Sequence, residues 1–270
     1  MIIYCKLINL ALLGGARQIT SFIAIAVVVA IVIGGIAVYY PSEQQHAVAQ
    51  SSTNVTNLPN NTGTSSTPTP LPTDTVQYDI SYTEWTARWW QWLLSIPIDR
   101  NPAADETGEN CDEGQIGPVW FLAGTFGGLN ERVCAIPAGK SILFPVINAE
   151  CSYAEYPDLR SEAELRQCAV SSNEGITELM VTIDGRAISQ SELLRYRVQS
   201  PLFDVNFPRG NIFSVQEGPS QAVSDGIWVF LPPFTPGQHE IHFKGSIVDF
   251  TETGTNNFAT ESKYSITVLG

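Results

Sequence analysis

Ser81-Tyr-Thr-Glu-Trp-Thr-Ala-Arg-Trp-Trp-Gln-Trp-Leu-Leu-Ser-Ile-Pro97 contains four of the six tryptophans of this chain. Ser81 and Glu84 form a capping-box pattern, in which the serine side chain accepts a free backbone N–H of the first helical turn. Pro97 ends the pattern, because proline cannot continue a helix. Large apolar residues recur between these signals at helical spacing: Trp85, Trp89, Trp92, Leu93 and Ile96. The stretch therefore predicts a helix whose apolar face packs on a folded domain.

Trp90 lies off this apolar face, and we expect its ring to be exposed. An aromatic ring offers a flat apolar area, which suits stacking on a sugar. Trp90 is therefore a candidate ligand-binding residue, whereas the tryptophans of the apolar face are predicted to belong to the core.

The charge of the chain excludes one class of function. The 270 residues include 27 acidic and 14 basic side chains, which gives a net charge of -13. A nucleic-acid-binding protein needs a basic surface to neutralise phosphates, so this class is rejected. The 44% of apolar residues is enough for a packed core.

The amino-terminal region predicts membrane insertion. Residues 1–21 contain Lys6 and Arg17 but no acidic residue, and residues 22–40 form an uninterrupted apolar run. That length crosses a bilayer as one helix, and the preceding positive charges keep the amino terminus in the cytoplasm. We therefore expect a single-pass signal anchor with an extracytoplasmic carboxy-terminal domain. The alternative is a signal peptide cleaved near Ala49, since Ala47-Val-Ala49 fits a cleavage site.

Residues 41–77 are predicted to form a disordered tether. Ser, Thr, Asn and Pro dominate them, and such a composition cannot bury enough apolar surface to fold. The tether carries two glycosylation sequons, at Asn54 and Asn60. Residues 78–270 are then one extracytoplasmic domain.

The cysteines fit an oxidising compartment. Cys5 precedes the apolar run, and the folded domain contains an even set of four: Cys111, Cys134, Cys151 and Cys168. Four cysteines allow three connectivities. We expect the sequential pairs, Cys111–Cys134 and Cys151–Cys168, because they close the shortest loops, each worth about 3 kcal/mol in the chain-entropy view. The alternative is four buried free thiols.

The folded domain is predicted to be mainly β. Turn signals separate short runs of β-branched and aromatic residues, and Asp184-Gly185 is a hairpin signal. Ser161 and Glu164 form a second capping box that opens a short inserted helix. The pattern indicates an antiparallel β-sandwich of the jelly-roll or immunoglobulin-like type. The predicted strands are 118–125, 132–137, 141–148, 178–183, 186–189, 203–207, 226–231, 239–247 and 262–269.

No specific catalytic motif occurs in the sequence. Gly-x-Ser-x-Gly, His-Glu-x-x-His and a phosphate-binding glycine loop are all missing. His239 and His242 lie three residues apart in a predicted strand, so they point to opposite faces and cannot share one metal ion.

The loop 105–114 contains five carboxylates, a density that resembles calcium-binding loops. Its spacing does not match an EF-hand, and a solvated acidic loop beside a disulfide is the alternative. Asp105, Glu109 and Asp112 are the candidate ligands. No cofactor other than calcium is predicted.

A further set of polar residues lies among apolar strands: Gln115, Asn148, Glu150 and Asp225. Asp105 and Glu150 are candidate catalytic residues if the fold brings them to the roughly 5–10 Å separation of a hydrolytic carboxylate pair. The alternative is that such residues satisfy backbone groups at strand ends. Gln115, Asn148 and Asp225 join Trp90 as candidate binding residues.

Several motifs of the folded domain form a characteristic set: Trp89-Trp90-Gln-Trp92, Asn101-Pro102, Asp105, Thr107-Gly108, Cys111, Gly114-Gln115-x-Gly117-Pro-Val-Trp-Phe-Leu-Ala-Gly124 and Pro137-Ala-Gly-Lys140. Weaker matches are Ser224-Asp-Gly226-x-Trp228 and Pro236-Gly-Gln-His239-x-Ile241. The set resembles a family of exported microbial proteins of unknown function. The resemblance implies a secreted, β-rich domain and carries no activity with it.

These observations predict a membrane-anchored glycoprotein at the cell surface. The expected function is a binding or structural module for carbohydrate or other envelope components. The alternative is a secreted hydrolase that uses Asp105 and Glu150.

Overall fold

The structure is a computed structural model that describes residues 67–251 and 254–270. The strands are β1 (Val76–Gln77), β2 (Ile80–Ser81), β3 (Val119–Phe121), β4 (Gly128–Pro137), β5 (Ser141–Ser152), β6 (Ile176–Ile183), β7 (Arg186–Ile188), β8 (Arg197–Gln199), β9 (Phe203–Phe207), β10 (Gly218–Leu231), β11 (Gly237–Thr251) and β12 (Gly254–Leu269). The helices are α1 (Tyr82–Leu94), α2 (Glu162–Ser171) and α3 (Gln190–Leu193), with 3-10 turns at Ile98–Arg100 and Leu194–Tyr196.

Over this part of the chain, no helix combines the length and apolar character needed to cross a membrane. The predicted anchor at 22–40, the cleavage site near Ala49, Cys5 and both sequons, at Asn54 and Asn60, lie outside the described residues.

The domain is mainly β, as predicted, and contains two five-stranded sheets besides the β1–β2 hairpin. Sheet 1 has the order β3-β5-β10-β8, with β9 pairing with the same strand β10. Sheet 2 has the order β4-β12-β11-β6-β7. The prediction of purely antiparallel sheets is wrong, because β3 runs parallel to β5 and β4 runs parallel to β12. The chain passes through β4 of sheet 2 between β3 and β5, and such a crossover returns the strand in the same direction.

The two central strands of sheet 1 are buried on both faces. Residues 141–147 of β5 and 222–231 of β10 are all buried. A strand covered on both sides reads as a continuous apolar run, and a half-exposed strand alternates. The edge strand β9 alternates in this way, because Phe203, Val205 and Phe207 are buried while the residues between them are exposed.

Helix α1 covers one face of sheet 1. The side chain of Ser81 caps it by accepting the N–H of Glu84, which confirms the predicted start. Trp85 and Trp89 of the helix share a core with Trp228 and Phe230 of β10. The indole N–H of Trp89 donates to the carbonyl of Leu122 at 2.9 Å, so the burial of this ring leaves no polar group unpaired.

Sheet 2 covers the other face of sheet 1. Phe144 of β5 stacks on Phe243 of β11 with ring centroids 4.8 Å apart. Ile227 and Val229 of β10 belong to the same core as Val181 of β6. The two sheets therefore share one apolar core, and sheet 1 is the middle layer between α1 and sheet 2.

Both disulfides connect loops or helices to the sheets. Cys111–Cys134 ties the acidic loop to β4, and Cys151–Cys168 ties β5 to α2. The predicted disulfides and their sequential pairing are confirmed. Each closes a loop of the length for which about 3 kcal/mol of stabilisation is expected.

The end of the predicted tether lies on the domain. Leu71 packs against the core beside α1, and its N–H donates to the carbonyl of Phe230 at 2.7 Å. The β1–β2 hairpin follows, with Tyr78 and Asp79 at positive φ in its two-residue turn. Trp85 donates its indole N–H to the carbonyl of Gln77. The last residues assigned to the tether therefore contribute to the fold.

Gly245 of β11 packs closely against β5 of the other sheet. A Cβ atom at this position would lie 2.6 Å from the Cβ of Ile147 and 2.7 Å from the carbonyl oxygen of Val146. Both atoms belong to the place where β5 shifts its register against β10. Only glycine fits against that backbone without moving a sheet.

We predict that Gly245→Ala lowers the free energy of unfolding by about 1–3 kcal/mol, because the added methyl group overpacks the contact between the sheets. Gly124→Ala is the matched control, since a Cβ atom there meets its nearest neighbour, the hydroxyl of Thr260, at 3.4 Å. Urea denaturation of both variants is the measurement. Equal stabilities for the two variants would contradict the prediction.

Candidate functional site

A row of polar side chains interrupts the apolar face of sheet 1 that α1 covers. Asn148, Glu150 and Ser152 occupy alternate positions of β5, so they point to the same face. Ser224 of β10 lies directly opposite Glu150 in the register. Ala222 of β10 pairs with Ser152 and belongs to the core beside α1, so this row of polar residues lies on the face of sheet 1 that α1 covers. The structure therefore brings together two predicted site residues, Asn148 and Glu150.

Glu150 is the most unusual group of this row. Only 3% of it is exposed, and its carboxyl group lies within hydrogen-bonding reach of the side chains of Glu155 and Ser152. Its polar neighbours are Glu155 and Ser152, and the Ser152 hydroxyl donates to Glu155 at 2.9 Å. Burial, followed by the adjacent carboxylate of Glu155, raises the pKa of Glu150 well above its ordinary value. We call Glu150 and Glu155 the acid pair.

The acid pair also affects a neighbouring tyrosine. Burial raises the pKa of the Tyr156 hydroxyl, and the negative charges of Glu155 and Glu150 raise it further. The Tyr156 hydroxyl therefore stays protonated. Its ring lies near both carboxyl groups, because their negative charges act on its pKa.

An open cleft begins where β5 ends, next to the acid pair. It has a volume of about 560 Å³. Its walls come from the turn after β5, from β9 and from the start of β10, and the lining residues are Tyr153, Ala154, Asp204, Gln216, Glu217, Gly218, Pro219, Ser220 and Gln221. The side-chain amide of Gln221 donates to the Asp204 carboxylate at 3.0 Å, which orients both groups.

Sequence reasoning missed all the lining residues of this cleft and also Glu155. They come from three separate segments, and none forms a motif along the chain. Only the fold brings them together, so no local signal in the sequence was able to identify them.

Asp225 lies on the opposite face of β10 from the acid pair. Its carboxylate is 1% exposed and accepts hydrogen bonds from Arg197, at 2.9 Å from Nε and 2.8 Å from Nη2. Burial raises the pKa of Asp225 despite the guanidinium. Asn173 donates to the backbone carbonyl of Asp225 at 2.7 Å. These contacts hold β8 and Asn173, which follows α2, against β10. Ligand binding by Asp225 stays a prediction.

Gln115 also has a structural role. Its amide group donates to the carbonyls of Phe121, at 2.8 Å, and of Cys111, at 3.1 Å, and it accepts the N–H of Phe121 at 3.0 Å. The side-chain amide thereby bonds both the N–H and the carbonyl of Phe121 at the edge of β3, the two backbone groups that a neighbouring strand would otherwise pair. The interpretation that such residues satisfy backbone groups fits Gln115.

Asp105 organises the turn of the acidic loop. Its carboxylate accepts the N–H groups of Thr107, Gly108 and Asn110 at 2.8–3.0 Å, and also the Thr107 hydroxyl. Burial alone would raise the pKa of Asp105, but these hydrogen bonds outweigh it and lower the pKa.

Asp105 and Glu150, the predicted catalytic pair, do not interact directly. The hydrogen bonds of Asp105 lie within the acidic loop, whereas the polar neighbours of Glu150 are Ser152 and Glu155. No hydrogen bond or charge interaction links the two carboxyl groups among the residues described. The catalytic pair of the hydrolase hypothesis stays a prediction.

The acidic loop shows no metal site of its own. Within residues 67–251 and 254–270, no group of three or more His, Cys, Asp or Glu side chains is arranged to hold a metal ion. Both carboxylate oxygens of Asp105 are already engaged by backbone N–H groups. Calcium binding by Asp105, Glu109 and Asp112 stays a prediction.

Trp90 is buried, and the prediction of an exposed ring is wrong. Only 3% of it is exposed, and its ring meets Trp89 edge to face at 5.0 Å. The ring of Phe213 lies 6.4 Å from that of Trp90, and Phe207 of β9 belongs to the same core. The segment that follows β8 covers the outer side of α1. This cover comes from residues more than 100 positions away in the chain, and the helical pattern alone carries no sign of it.

The two histidines form separate contacts. His239 lies 2.8 Å from the carboxylate of Asp184 and 2.8 Å from the carbonyl of Thr235, and His242 lies 2.7 Å from Glu261. As expected from their spacing, they do not share a site.

Arg132 is a buried residue that sequence reasoning missed. It is 2% exposed, and its guanidinium donates to the carbonyls of Asp105 and Ala123, each at 2.7 Å, and to the Tyr264 hydroxyl at 2.8 Å. The alternation Arg132, Cys134, Ile136 was the available signal, because it places the arginine on the inward face of β4.

Comparisons with known proteins assign no relative. No family model, no curated protein and no solved structure matches this chain. The resemblance to exported microbial proteins stays a prediction.

We predict that Trp90→Ala destabilises the domain by about 3–5 kcal/mol, the usual cost of removing a buried aromatic side chain. Thermal and urea unfolding measure the loss. Trp90→Phe keeps most of the apolar volume and removes only an indole N–H that has no partner among the described residues, so it should retain most of the stability. A Trp90→Ala variant as stable as the wild type would contradict the buried position.

We predict that Asp105→Asn destabilises the domain in a pH-dependent manner. The folded-state pKa of Asp105 is lowered, so its stabilising effect is present above the unfolded pKa of about 3.9 and is lost as the pH falls through the folded pKa. The difference in unfolding free energy between wild type and variant should therefore be largest near neutral pH and shrink in acid. Urea denaturation at a series of pH values measures it. A pH-independent difference would contradict the assignment.

Proposed function

We propose that this protein is a cell-surface binding module whose cleft takes a neutral or amino-sugar-containing carbohydrate of the cell envelope. The observation that carries the proposal is the composition of the cleft beside the acid pair. Tyr153 supplies an aromatic ring, and Asp204, Gln216, Glu217 and Gln221 supply planar amide and carboxylate groups.

These side chains suit a polyhydroxylated ligand. Amide groups offer both donors and acceptors and carboxylates offer acceptors, so together they pair with sugar hydroxyls. An aromatic ring adds a flat apolar area for the face of a sugar. The volume of about 560 Å³ lies within the usual range of ligand sites.

The charge of the cleft narrows the ligand class. Asp204 and Glu217 are both acidic, and the whole chain carries a net charge of -13. An acidic polysaccharide would be repelled, whereas neutral sugars and protonated amino sugars would not.

Export of the domain belongs to the same proposal. The two disulfides fit an oxidising compartment. Residues 22–40 then anchor the chain in the membrane, and residues 41–66 and the glycans at Asn54 and Asn60 separate the domain from the bilayer. Cleavage near Ala49 would release the same domain as a secreted protein.

The proposal also includes a β-sandwich architecture and a resemblance in fold to exported microbial proteins. The two sheets share one core, which supports a β-sandwich. The parallel pairs at the edges set it apart from a purely antiparallel jelly-roll or immunoglobulin-like type. The motifs shared with exported microbial proteins include Asp105 and Gln115, whose hydrogen bonds are structural, so the resemblance concerns the fold.

We predict that Tyr153→Ala and Gln221→Ala each weaken glycan binding by at least about tenfold, because each removes a cleft side chain that contacts the ligand. The measurement is binding of the full-length protein to an array of neutral, amino and acidic glycans, followed by titration of the best binder.

Gln238→Ala is the matched control, because it also removes an exposed glutamine side chain. Gln238 lies in sheet 2, its amide donates to the Thr267 hydroxyl, and it does not line the cleft. It should bind as the wild type does. An array without any binder, or equal losses in Gln238→Ala and Gln221→Ala, would refute the proposal.

A further inference from the structure

We propose that the acid pair is a pH-sensitive latch on one wall of the cleft. A proton shared by Glu150 and Glu155 holds the turn at residues 153–156 against β10, and loss of this proton at higher pH loosens the turn. The latch acts on the shape of the cleft whether or not the ligand is a sugar. Its test measures stability and amide exchange, so its outcome is independent of the sugar-binding proposal.

The turn at residues 153–156 joins the acid pair to the cleft. The N–H of Tyr153 donates to the carbonyl of Gln221 of β10 at 3.1 Å. The N–H of Ala154 donates to the hydroxyl of Ser220, also at 3.1 Å. All four of these residues line the cleft. The position of the turn therefore sets the shape of one side of the cleft.

Ser152 ties the turn to the acid pair. Its hydroxyl donates to the Glu155 carboxylate at 2.9 Å, and its carbonyl accepts the N–H of Tyr156 at 3.0 Å. The turn thereby brings Glu155 back to Glu150, whose carboxyl group lies within hydrogen-bonding reach of it. Because Glu155 is itself a residue of the turn, a change in the charge of the acid pair acts directly on the turn.

Two adjacent carboxyl groups retain one proton when water is excluded from them. Glu150 is only 3% exposed, and two negative charges at this separation repel strongly in a medium of low dielectric constant. Paired carboxyl groups in proteins share a proton for this reason. Burial, the charge of Glu155 and the hydrogen bond between the two side chains all raise the pKa of Glu150. The acid pair is therefore held together by one proton and carries one negative charge.

The groups that face Glu150 offer no compensating charge to its ionised form. Glu155 and Tyr156 face it from the turn, and Ser152 follows it on the same face of β5. Ser224 lies opposite it on β10, and the Ser224 hydroxyl has no hydrogen-bond partner among the residues described. None of these side chains is basic.

The basic residues of the neighbouring elements pair with other acids: Arg197 of β8 with Asp225, Arg166 of α2 with Glu162, and Arg88 of α1 with Glu84. The side chain of Asp225 points to the opposite face of β10. The adjoining cleft adds two further acidic residues, Asp204 and Glu217. Ionisation of Glu150 therefore places a second negative charge beside Glu155, and a movement of the turn is the smallest change that separates the two.

The direction of the pH effect follows from the raised pKa of Glu150. Between the unfolded pKa of about 4.3 and the higher folded-state pKa, the folded domain binds one proton more than the unfolded chain. The stabilisation from this group is complete below the unfolded pKa and is lost as the pH rises through the folded-state pKa. The latch is thus closed in acid and opens as the pH increases.

Urea denaturation of the full-length protein in a mild detergent, from about pH 4 to pH 9, tests the latch. Glu150→Gln is a neutral mimic of the protonated acid. Relative to this variant, the unfolding equilibrium constant of the wild type should rise by up to about tenfold per pH unit between the two pKa values, because unfolding then releases one proton. Glu155→Gln should shorten this pH range, since burial still raises the pKa of Glu150 but the second charge is gone. Glu109→Gln removes an exposed carboxyl group of the acidic loop and should follow the wild type.

Amide hydrogen exchange shows whether the turn moves. Wild type and Glu150→Gln are compared at the same pH, so the chemical effect of pH on exchange cancels. The ratio of their exchange rates at residues 153–156 should be near one at about pH 5 and reach at least about tenfold where the wild-type stability levels off. The β6–β7 hairpin of sheet 2 is the internal control, and its ratio should stay near one.

The inference is overturned if the stabilities of wild type and Glu150→Gln run parallel over the whole pH range. It is also overturned if Glu155→Gln leaves the pH range unchanged or if Glu109→Gln loses the wild-type profile. Equal exchange at residues 153–156 despite a difference in stability would overturn it as well, because the proton would then act on the domain as a whole and not on the turn.

Discussion

Sheet 1 needs an apolar cover on both faces, and this constraint organises the whole domain. Residues 142–147 of β5 and 226–231 of β10 are apolar and buried, so neither face tolerates water there. Sheet 2 covers one face, and the tryptophans of α1 cover the other. Three of those tryptophans, Trp85, Trp89 and Trp92, donate their N–H groups to backbone carbonyls, which fixes the rings as well as burying them. The helix is therefore an integral layer of the fold.

The sequence predicted those features that depend on neighbouring residues. The start of α1 at Ser81, the hairpin at Asp184-Gly185 and the sequential disulfides are all local in the chain, and each was correct. The parallel pairing of β4 with β12 joins segments about 130 residues apart, and no local pattern specifies it. The burial of Trp90 has the same origin, because its cover arrives from β9 and the segment after it. The sequence identified Asn148 and Glu150 because they are polar residues within an apolar strand. The neighbour of Glu150, Glu155, was not identified, because only the fold brings the two side chains together.

The residues that look most like a motif serve the structure. Asn101 donates to the carbonyls of Leu93 and Ile96 and thereby closes the end of α1. Asp105 holds the turn that follows, and Arg132 binds that turn to the end of β3. Buried polar groups with every hydrogen bond satisfied specify one arrangement of the backbone. Asn101, Asp105 and Arg132 therefore stabilise the connection between α1 and β3.

The acid pair differs from this satisfied network in one physical respect. Arg132 is buried, yet each of its N–H contacts ends on a carbonyl or a hydroxyl oxygen. Glu150 is equally buried beside a second carboxyl group, and the hydroxyl of Ser224 opposite it has no hydrogen-bond partner among the described residues. Burying one carboxyl group beside another costs free energy, and this cost is the cause of the raised pKa of Glu150. A fold that retains it gives up stability at that point, and local departures from the packing rules of this kind are typical of places where a protein binds something.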